Sequence, residues 1–202
     1  MRILSKSICD YIDLNYDINA YGEVNEEKLL GVGSLIINNY DYSMNPLIFY
    51  PNELSYFKML KSCTFMNFEI SDDILRGIDL LSGLNKIVFD GCFNACQYAL
   101  RNNVESIALR CSDSSLVRIG NEDVVRSIVV DDCQSLDISD IIKYHNLESL
   151  VVYNCDIKNS IMLKSFKNIS QIIFNGCRLD DDSIVHELEN IIHISKNYQK
   201  II

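Results

Sequence analysis

The chain has 202 residues, 48% of them hydrophobic, and its 18 basic and 28 acidic side chains give a formal net charge of −10. That length suits about one globular domain. The acidic surplus argues against binding nucleic acid or an anionic membrane, which both need a basic surface, and no stretch approaches the roughly 18 uninterrupted apolar residues of a membrane span.

At the N-terminus, Asp10 and Asp13 break up the apolar core that a signal peptide requires, so a cytoplasmic protein is expected. The eight cysteines, with only two prolines, then read as reduced thiols and not as a disulfide framework. Residues 1–30 hold apolar positions such as Ile8, Ile12 and Leu14 and are expected to form an N-terminal cap. Gly31-Val32-Gly33-Ser34 lacks the rest of a phosphate-binding fingerprint and fits a turn before a first strand.

Beyond residue 31 the chain repeats itself. Three segments align without gaps: Val125 to Cys133, Leu147 to Cys155 and Ile169 to Cys177, starting 22 residues apart. Each has aliphatic residues at relative positions 1 and 4, a hydrophobic residue at 6 and cysteine at 9. Leu84 to Cys92 has the same form, and Val104-Glu-Ser-Ile107-Ala-Leu109 keeps the frame with Cys111 one place early. Two weaker copies come first: Leu54/Phe57/Met59 with Cys63 one place late, and Val32/Leu35/Ile37 with Tyr40 in the cysteine position. Units therefore start near 32, 54, 84, 104, 125, 147 and 169, with an irregular gap of 30 residues between the second and third. Positions 4 and 6 point to one side of an extended strand while 3, 5 and 7 point to the other. One short strand cannot bury its apolar side alone, but stacked copies can.

Between strands the pattern turns helical. Ser71 before Asp72 and Asp73 reads as an N-cap with acids in the first turn, Ile74, Leu75 and Ile78 follow at helical spacing, and Gly83 is a plausible stop. Residues 139–144 and 160–166 are shorter versions. Asp182-Ser183 followed by Ile184, Val185, Leu188, Ile191 and Ile192 predicts a capping helix over 181–202.

This pattern resembles the leucine-rich repeat family, L-x-x-L-x-L-x-x-N/C-x-L, and within it the cysteine-containing and ribonuclease-inhibitor-like branches. The likeness covers about residues 30–180 and includes the tail of the motif, as Cys155-Asp-Ile157 and Cys177-Arg-Leu179. It implies a right-handed α/β solenoid: a curved parallel sheet of about seven short strands, helical convex segments and a C-terminal capping helix. The domain would then be single, with a cap over 1–30, repeats over 31–180 and a closing helix over 181–202. In that family the residue at position 9 satisfies backbone groups of the turn, and a thiol does so as a small, weak donor.

Motifs for catalysis or cofactors are sparse. Cys92 and Cys96 have zinc half-site spacing but no second pair at a matching distance, and Cys133, Cys155 and Cys177 recur once per unit as a core column does. His186 and His193 would share a face of the last helix, most simply a solvated one, and His145 precedes a strand as a turn residue. No serine or cysteine is matched to a histidine base, so no catalytic residue is expected. Asn168-Ile169-Ser170 is a glycosylation sequon that matters only in a secretory context. Asp131-Asp132 and Asp180-Asp181-Asp182 lack the spaced ligands of a calcium loop. Neither a metal nor a cofactor is expected.

The informative surface is the free side of the sheet. In this frame position 5 holds Ile36, Lys58, Val88, Ala108, Val129, Val151 and Ile173, and position 7 holds Asn38, Leu60, Asp90, Arg110, Asp131, Tyr153 and Asn175. Strand propensity accounts for some of the apolar residues. A contiguous stripe edged with acids, including Asp132, also has the outline of a protein interface. The expected partner-binding residues are Val88, Asp90, Arg110, Val129, Asp131, Asp132, Val151, Tyr153 and Ile173, with Arg110 and Tyr153 as energetic anchors. They would hold a basic or mixed-charge protein. Rich in Ile, Asn, Lys and Tyr, the composition points to an AT-rich, bacterial source. The resemblance there implies an immunity protein or an effector acting in a host cytosol. An adaptor of a ligase or signalling assembly is the alternative, and an enzyme with a loop-borne site a remote one.

Overall fold

The computed structural model describes residues 2–3, 23–24, 29–39, 51–188 and 192–194, with side chains placed over 29–39 and 53–188. Among the described residues, one 8-stranded parallel sheet runs without crossover through Ser34–Asn38, Ser62–Met66, Lys86–Asp90, Ser106–Arg110, Ser127–Asp131, Ser149–Tyr153, Gln171–Asn175 and Ile192–Ile194. Pairing is in register throughout, so position 4 lies beside position 4 and position 6 beside position 6. The inward row Leu35, Cys63, Ile87, Ile107, Ile128, Leu150 and Ile172 is buried, as is the row Ile37, Phe65, Phe89, Leu109, Val130, Val152 and Phe174. These two rows are the spine of the core. The segments starting at Leu84, Val125, Leu147 and Ile169 lie in one sheet as the repeat demanded, with the unit at Val104 between the first two.

A uniform backbone ladder holds each unit to the next. At the lower end, the position-2 carbonyl of one unit accepts both the position-2 and position-3 N–H groups of the next, from Gly33 with Lys61 and Ser62 through to Glu148 with Ser170 and Gln171. At the upper end, the position-8 N–H donates to the position-7 carbonyl of the next unit: Asn67 to Asp90, Gly91 to Arg110, Cys111 to Asp131, Asp132 to Tyr153 and Asn154 to Asn175. From the second unit to the seventh, position 8 is left-handed, with φ between 47° and 67° in all of Asn67, Gly91, Cys111, Asp132, Asn154 and Gly176. Asparagine, aspartate and glycine tolerate this conformation best.

The structure corrects the second unit. Its strand is Ser62–Met66, so the unit starts at Leu60, six residues after Leu54. Cys63 fills inward position 4 and pairs in register with Ile87 instead of sitting in the turn. Lys58 and Leu60 leave the open face; Thr64 and Met66 take positions 5 and 7. The irregular gap of 30 residues becomes 24. Hydrophobic spacing had misled because Leu54, Phe57 and Leu60 are all buried too, on the 3-10 segment Pro51–Tyr56 and the turn after it. In the fourth unit, Ser112 and not Cys111 occupies position 9, and Cys111 is exposed at the left-handed corner.

Convex segments are tighter than expected. One α-helix covers Asp72–Ile78, capped by the Ser71 hydroxyl accepting from the Ile74 N–H at 3.5 Å, and it stops at Asp79, not Gly83. Elsewhere the return runs through 3-10 segments at Pro51–Tyr56, Ser114–Ile119, Ile138–Asp140 and Ser160–Ser165. A five-residue strand advances about 17 Å. The return must recover that length in few residues, and a 3-10 rise of about 2.0 Å per residue does so better than the 1.5 Å of an α-helix.

The C-terminal end also differs. In place of a capping helix over 181–202, a short helix covers Ser183–Glu187 and the chain then adds the eighth strand, pairing Ile192 with Ile172 and Ile194 with Phe174. Ile192-His193-Ile194 alternates with period 2, as a strand should. His186 and His193 therefore do not share a helix face. Within the proposed N-terminal cap, Arg2–Ile3 pairs antiparallel with Glu23–Val24; Ile8, Ile12 and Leu14 lie outside the described residues, as do Tyr40 and Ile191. None of the helices among the described residues is long and apolar enough to cross a membrane.

Candidate protein interface

The turn that ends each strand fixes the face above it. Four position-9 residues are buried cysteines, Cys92, Cys133, Cys155 and Cys177. Each thiol points at the position-7 carbonyl of its own unit, at 3.5 Å for Asp90, 3.5 Å for Asp131, 3.0 Å for Tyr153 and 3.6 Å for Asn175. Cys92 and Cys177 also reach back 3.2 Å to the position-6 carbonyl of the preceding unit, Phe65 and Val152. Ser112 does the same with a hydroxyl, 2.8 Å from the Arg110 carbonyl and 3.0 Å from that of Phe89, and it accepts the Cys92 N–H at 2.9 Å. Burial pushes the Cys92 thiol up to about 11 and raises Cys63 and Cys177 as well. Cys155 is raised by its hydrogen-bonded neighbour Cys133 and by burial. Cys133 is shifted the other way by its hydrogen bond with Cys155; the shared geometry, each thiol aimed at the carbonyl of its own turn, is what marks the column as structural. Among the described residues no cluster of three or more His, Cys, Asp or Glu side chains could hold a metal ion.

Held this way, the sheet presents three rows to solvent. The central row is position 5: Ile36, Thr64, Val88, Ala108, Val129, Val151 and Ile173, stacked by register. All but Ile36 are half-buried and Ile36 is exposed; none belongs to the inner core. On the upper side, Asp90, Arg110, Asp131, Tyr153 and Asn175 pair in register. Arg110 thus stands between two aspartates, yet among the described residues it forms no ion pair. Asp132, exposed at the corner, accepts the Asn154 amide at 2.9 Å.

All nine residues expected at the interface therefore lie on one face, across five adjacent strands and their upper corner. The lower row was missed: Ser34, Ser62, Lys86, Ser106, Ser127, Ser149 and Gln171 at position 3, with the Ser149 hydroxyl donating to Gln171 at 3.1 Å. Its signal was present in the aligned segments, where serine recurs at relative position 3. From position 3 to position 7 the face is about 13 Å wide, and seven strands extend it to about 29 Å.

Parallel in-register strands, a stacked thiol or hydroxyl at five successive turns and a convex 3-10 return define this as a leucine-rich-repeat solenoid. No family model and no curated protein matches the sequence. Among solved structures, an internalin C2 from Listeria monocytogenes (strain 4b F2365) is similar, with a TM-score of 0.50 and 13% identity, over 95% of this chain and 93% of that one. At that identity the likeness is one of fold.

Proposed function

We propose that the chain is a noncatalytic protein-binding module that grips a partner protein on the concave side of its sheet. The observation that carries this is the position-5 row: seven stacked side chains, six of them apolar, facing away from the core. Hydroxyl groups flank it below and charged or amide groups above, which is the composition of an interface with a dry centre and a polar rim. Its width of about 13 Å matches one helix or one extended segment with its side chains. Asp131 and Asp132 favour a basic or mixed-charge partner, while Arg110 and Tyr153 supply the side-chain types that dominate hot spots. A surface of this extent can cover a partner's own site, which supports inhibition or sequestration, as an immunity protein or effector would act, inside a cell.

The test is the triple variant Val129→Asp, Val151→Asp, Tyr153→Ala in an affinity capture, run beside the unaltered chain. All three side chains are only half-buried, so the thermal midpoint should stay within a few degrees. A partner retained by the unaltered chain and lost by the variant is the expected outcome. An identical captured set from a folded variant would remove this face from consideration.

A further inference from the structure

We propose that the lower turns of the first three units form a second docking surface, which takes an acidic amphipathic segment of a partner protein. Six large hydrophobic side chains stand exposed among the described residues, and three of them sit where the convex return enters a strand: Leu30 at 47%, Met59 at 57% and Leu80 at 51%. The same turns in later units carry Asn121, Glu122, Asp123, His145, Asn146, Lys167 and Asn168, which are polar or charged. Lysines frame the apolar residues. Lys58 and Lys61 bracket the Met59 turn, and Lys86 lies on the next strand, its N–H bonded to the Lys61 carbonyl at 3.0 Å. The Lys61 ammonium lies 3.3 Å from where a Cβ on Gly83 would stand, so it covers the third unit's turn.

These three lysines are exposed, and none forms an ion pair with a described residue, whereas Arg76, Arg118, Arg126, Lys164 and Arg178 each do. In a chain of net charge −10, three cations with no ion pair among the described residues, set around exposed apolar side chains, call for a ligand that supplies both acids and apolar contact. Asp90 is at the far end of the Lys86 strand, about 13 Å away. That exceeds the Debye length of about 8 Å at physiological salt. Glu105 stands nearer, its N–H bonded to the Asn85 carbonyl at 2.9 Å, but the three lysines outnumber it, so a peptide-sized ligand meets a local positive excess while a flat anionic membrane meets the whole acidic molecule. This surface meets the concave face at Lys86, in its lower row, while the concave test residues Val129, Val151 and Tyr153 lie outside it, so the two readings are tested by different side chains.

The experiment is a fluorescence-anisotropy titration of the full chain against a labelled peptide repeating Glu-Glu-Leu-Leu. Saturable binding is expected, weaker as salt rises. The variant K58E/K61E/K86E should bind about tenfold more weakly, as the loss of several exposed charge contacts implies. Met59→Ser with Leu80→Ser should weaken it similarly, and Val129→Asp with Val151→Asp should leave it unchanged. All of these side chains are at least partly exposed, and the thermal midpoint confirms that each variant is folded. Absence of saturable binding overturns the proposal, as does binding that survives K58E/K61E/K86E or falls only in the concave variant. Capture by phosphatidylserine vesicles without peptide binding would reassign the patch to a membrane. A dimer that K58E/K61E/K86E dissolves, again without peptide binding, would reassign it to a second copy of the chain.

Discussion

The fifth to seventh units and the first three solve the same stacking problem with different regularity. Starts at 125, 147 and 169 keep a period of 22 residues, while the starts at 32, 60, 84 and 104 are 28, 24 and 20 apart. Yet the hydrogen-bond ladder and the register do not change between the two regions. What is fixed is the strand and its two corners, because each position-2 and position-7 carbonyl must meet the next unit. Extra length goes to the convex side, where Pro51–Tyr56 and Asp72–Ile78 absorb it. A repeat is thus conserved where its backbone is shared and free where it is not.

The largest expected effect tests whether the irregular region compensates through aromatic packing. Phe65 and Phe174 both occupy position 6, but of the two, among the described residues, Phe65 alone has ring partners, Phe68 edge-on at 5.8 Å and Phe89 stacked at 6.1 Å. Truncating either to alanine should cost about 3–5 kcal/mol. Phe65→Ala should exceed Phe174→Ala by about 1 kcal/mol for the lost ring pairs. Urea midpoints at unchanged m-value read this out, and equal losses would mean that aromatic contacts add nothing to the irregular units.

Next in size is position 9. Ser112→Ala removes the acceptor of the buried Cys92 N–H and the hydroxyl donor to Phe89 and Arg110, a loss of about 1–3 kcal/mol. Cys133→Ala removes a long thiol bond of 3.5 Å to the Asp131 carbonyl, the thiol contact with Cys155 and a small apolar volume, so about 1 kcal/mol is expected. A smaller loss at Ser112 than at Cys133 would show that the hydroxyl is no better a stitch than the thiol. Third comes Gly176→Ala: at φ 67° a Cβ would strike the Asn154 amide oxygen, and the left-handed conformation itself costs about 1–2 kcal/mol. Adding Asn154→Gly should restore part of that loss in thermal melts.

The same contrast explains what was legible. Where cysteine marks position 9, as at Cys133, Cys155 and Cys177, one distinctive residue sets the frame, and the open-face residues followed from alternation. In the second unit Phe68 replaces cysteine; the only thiol nearby, Cys63, is an inward strand residue. A hydrophobic pattern alone cannot then choose between Leu54 and Leu60 as the start, because both are buried for different reasons. The eighth strand was hidden behind a helical pattern that its own Ile-His-Ile alternation contradicted. The serine row was visible but has no hydrophobic signature, and the lysine turns emerged only once the second unit was framed correctly.

The smallest expected effect concerns acid, and it tests the side-chain carboxylates that join neighbouring units alongside the backbone ladder. Asp137 in the fifth unit accepts the Asn159 amide at 2.8 Å and the Ser139 hydroxyl at 2.6 Å. Those bonds hold its carboxyl below the ordinary range, as does the Ser139 N–H. Asp180 in the seventh unit is partly buried, which pushes its acidity the other way. The Ser160 hydroxyl and N–H, with the Asn159 N–H, still lower its pKa. Together the two aspartates clasp the left-handed Asn159 of the unit between them. A carboxylate whose folded pKa lies below its unfolded value near 3.9 contributes stability above that pH and loses it as pH falls through the folded value. Exposure and screening limit each contribution to about 1 kcal/mol or less. The thermal midpoint should therefore be flat in its carboxylate-linked part above about pH 5 and decline below about pH 4. In Asp137→Asn it should start slightly lower and decline less steeply. A variant as acid-sensitive as the unaltered chain would mean that the fifth and sixth units gain nothing from their carboxylate, in contrast to the second and third, where Asp72 accepts the Gln97 and Tyr98 N–H groups and Asp79 those of Arg101 and Asn102.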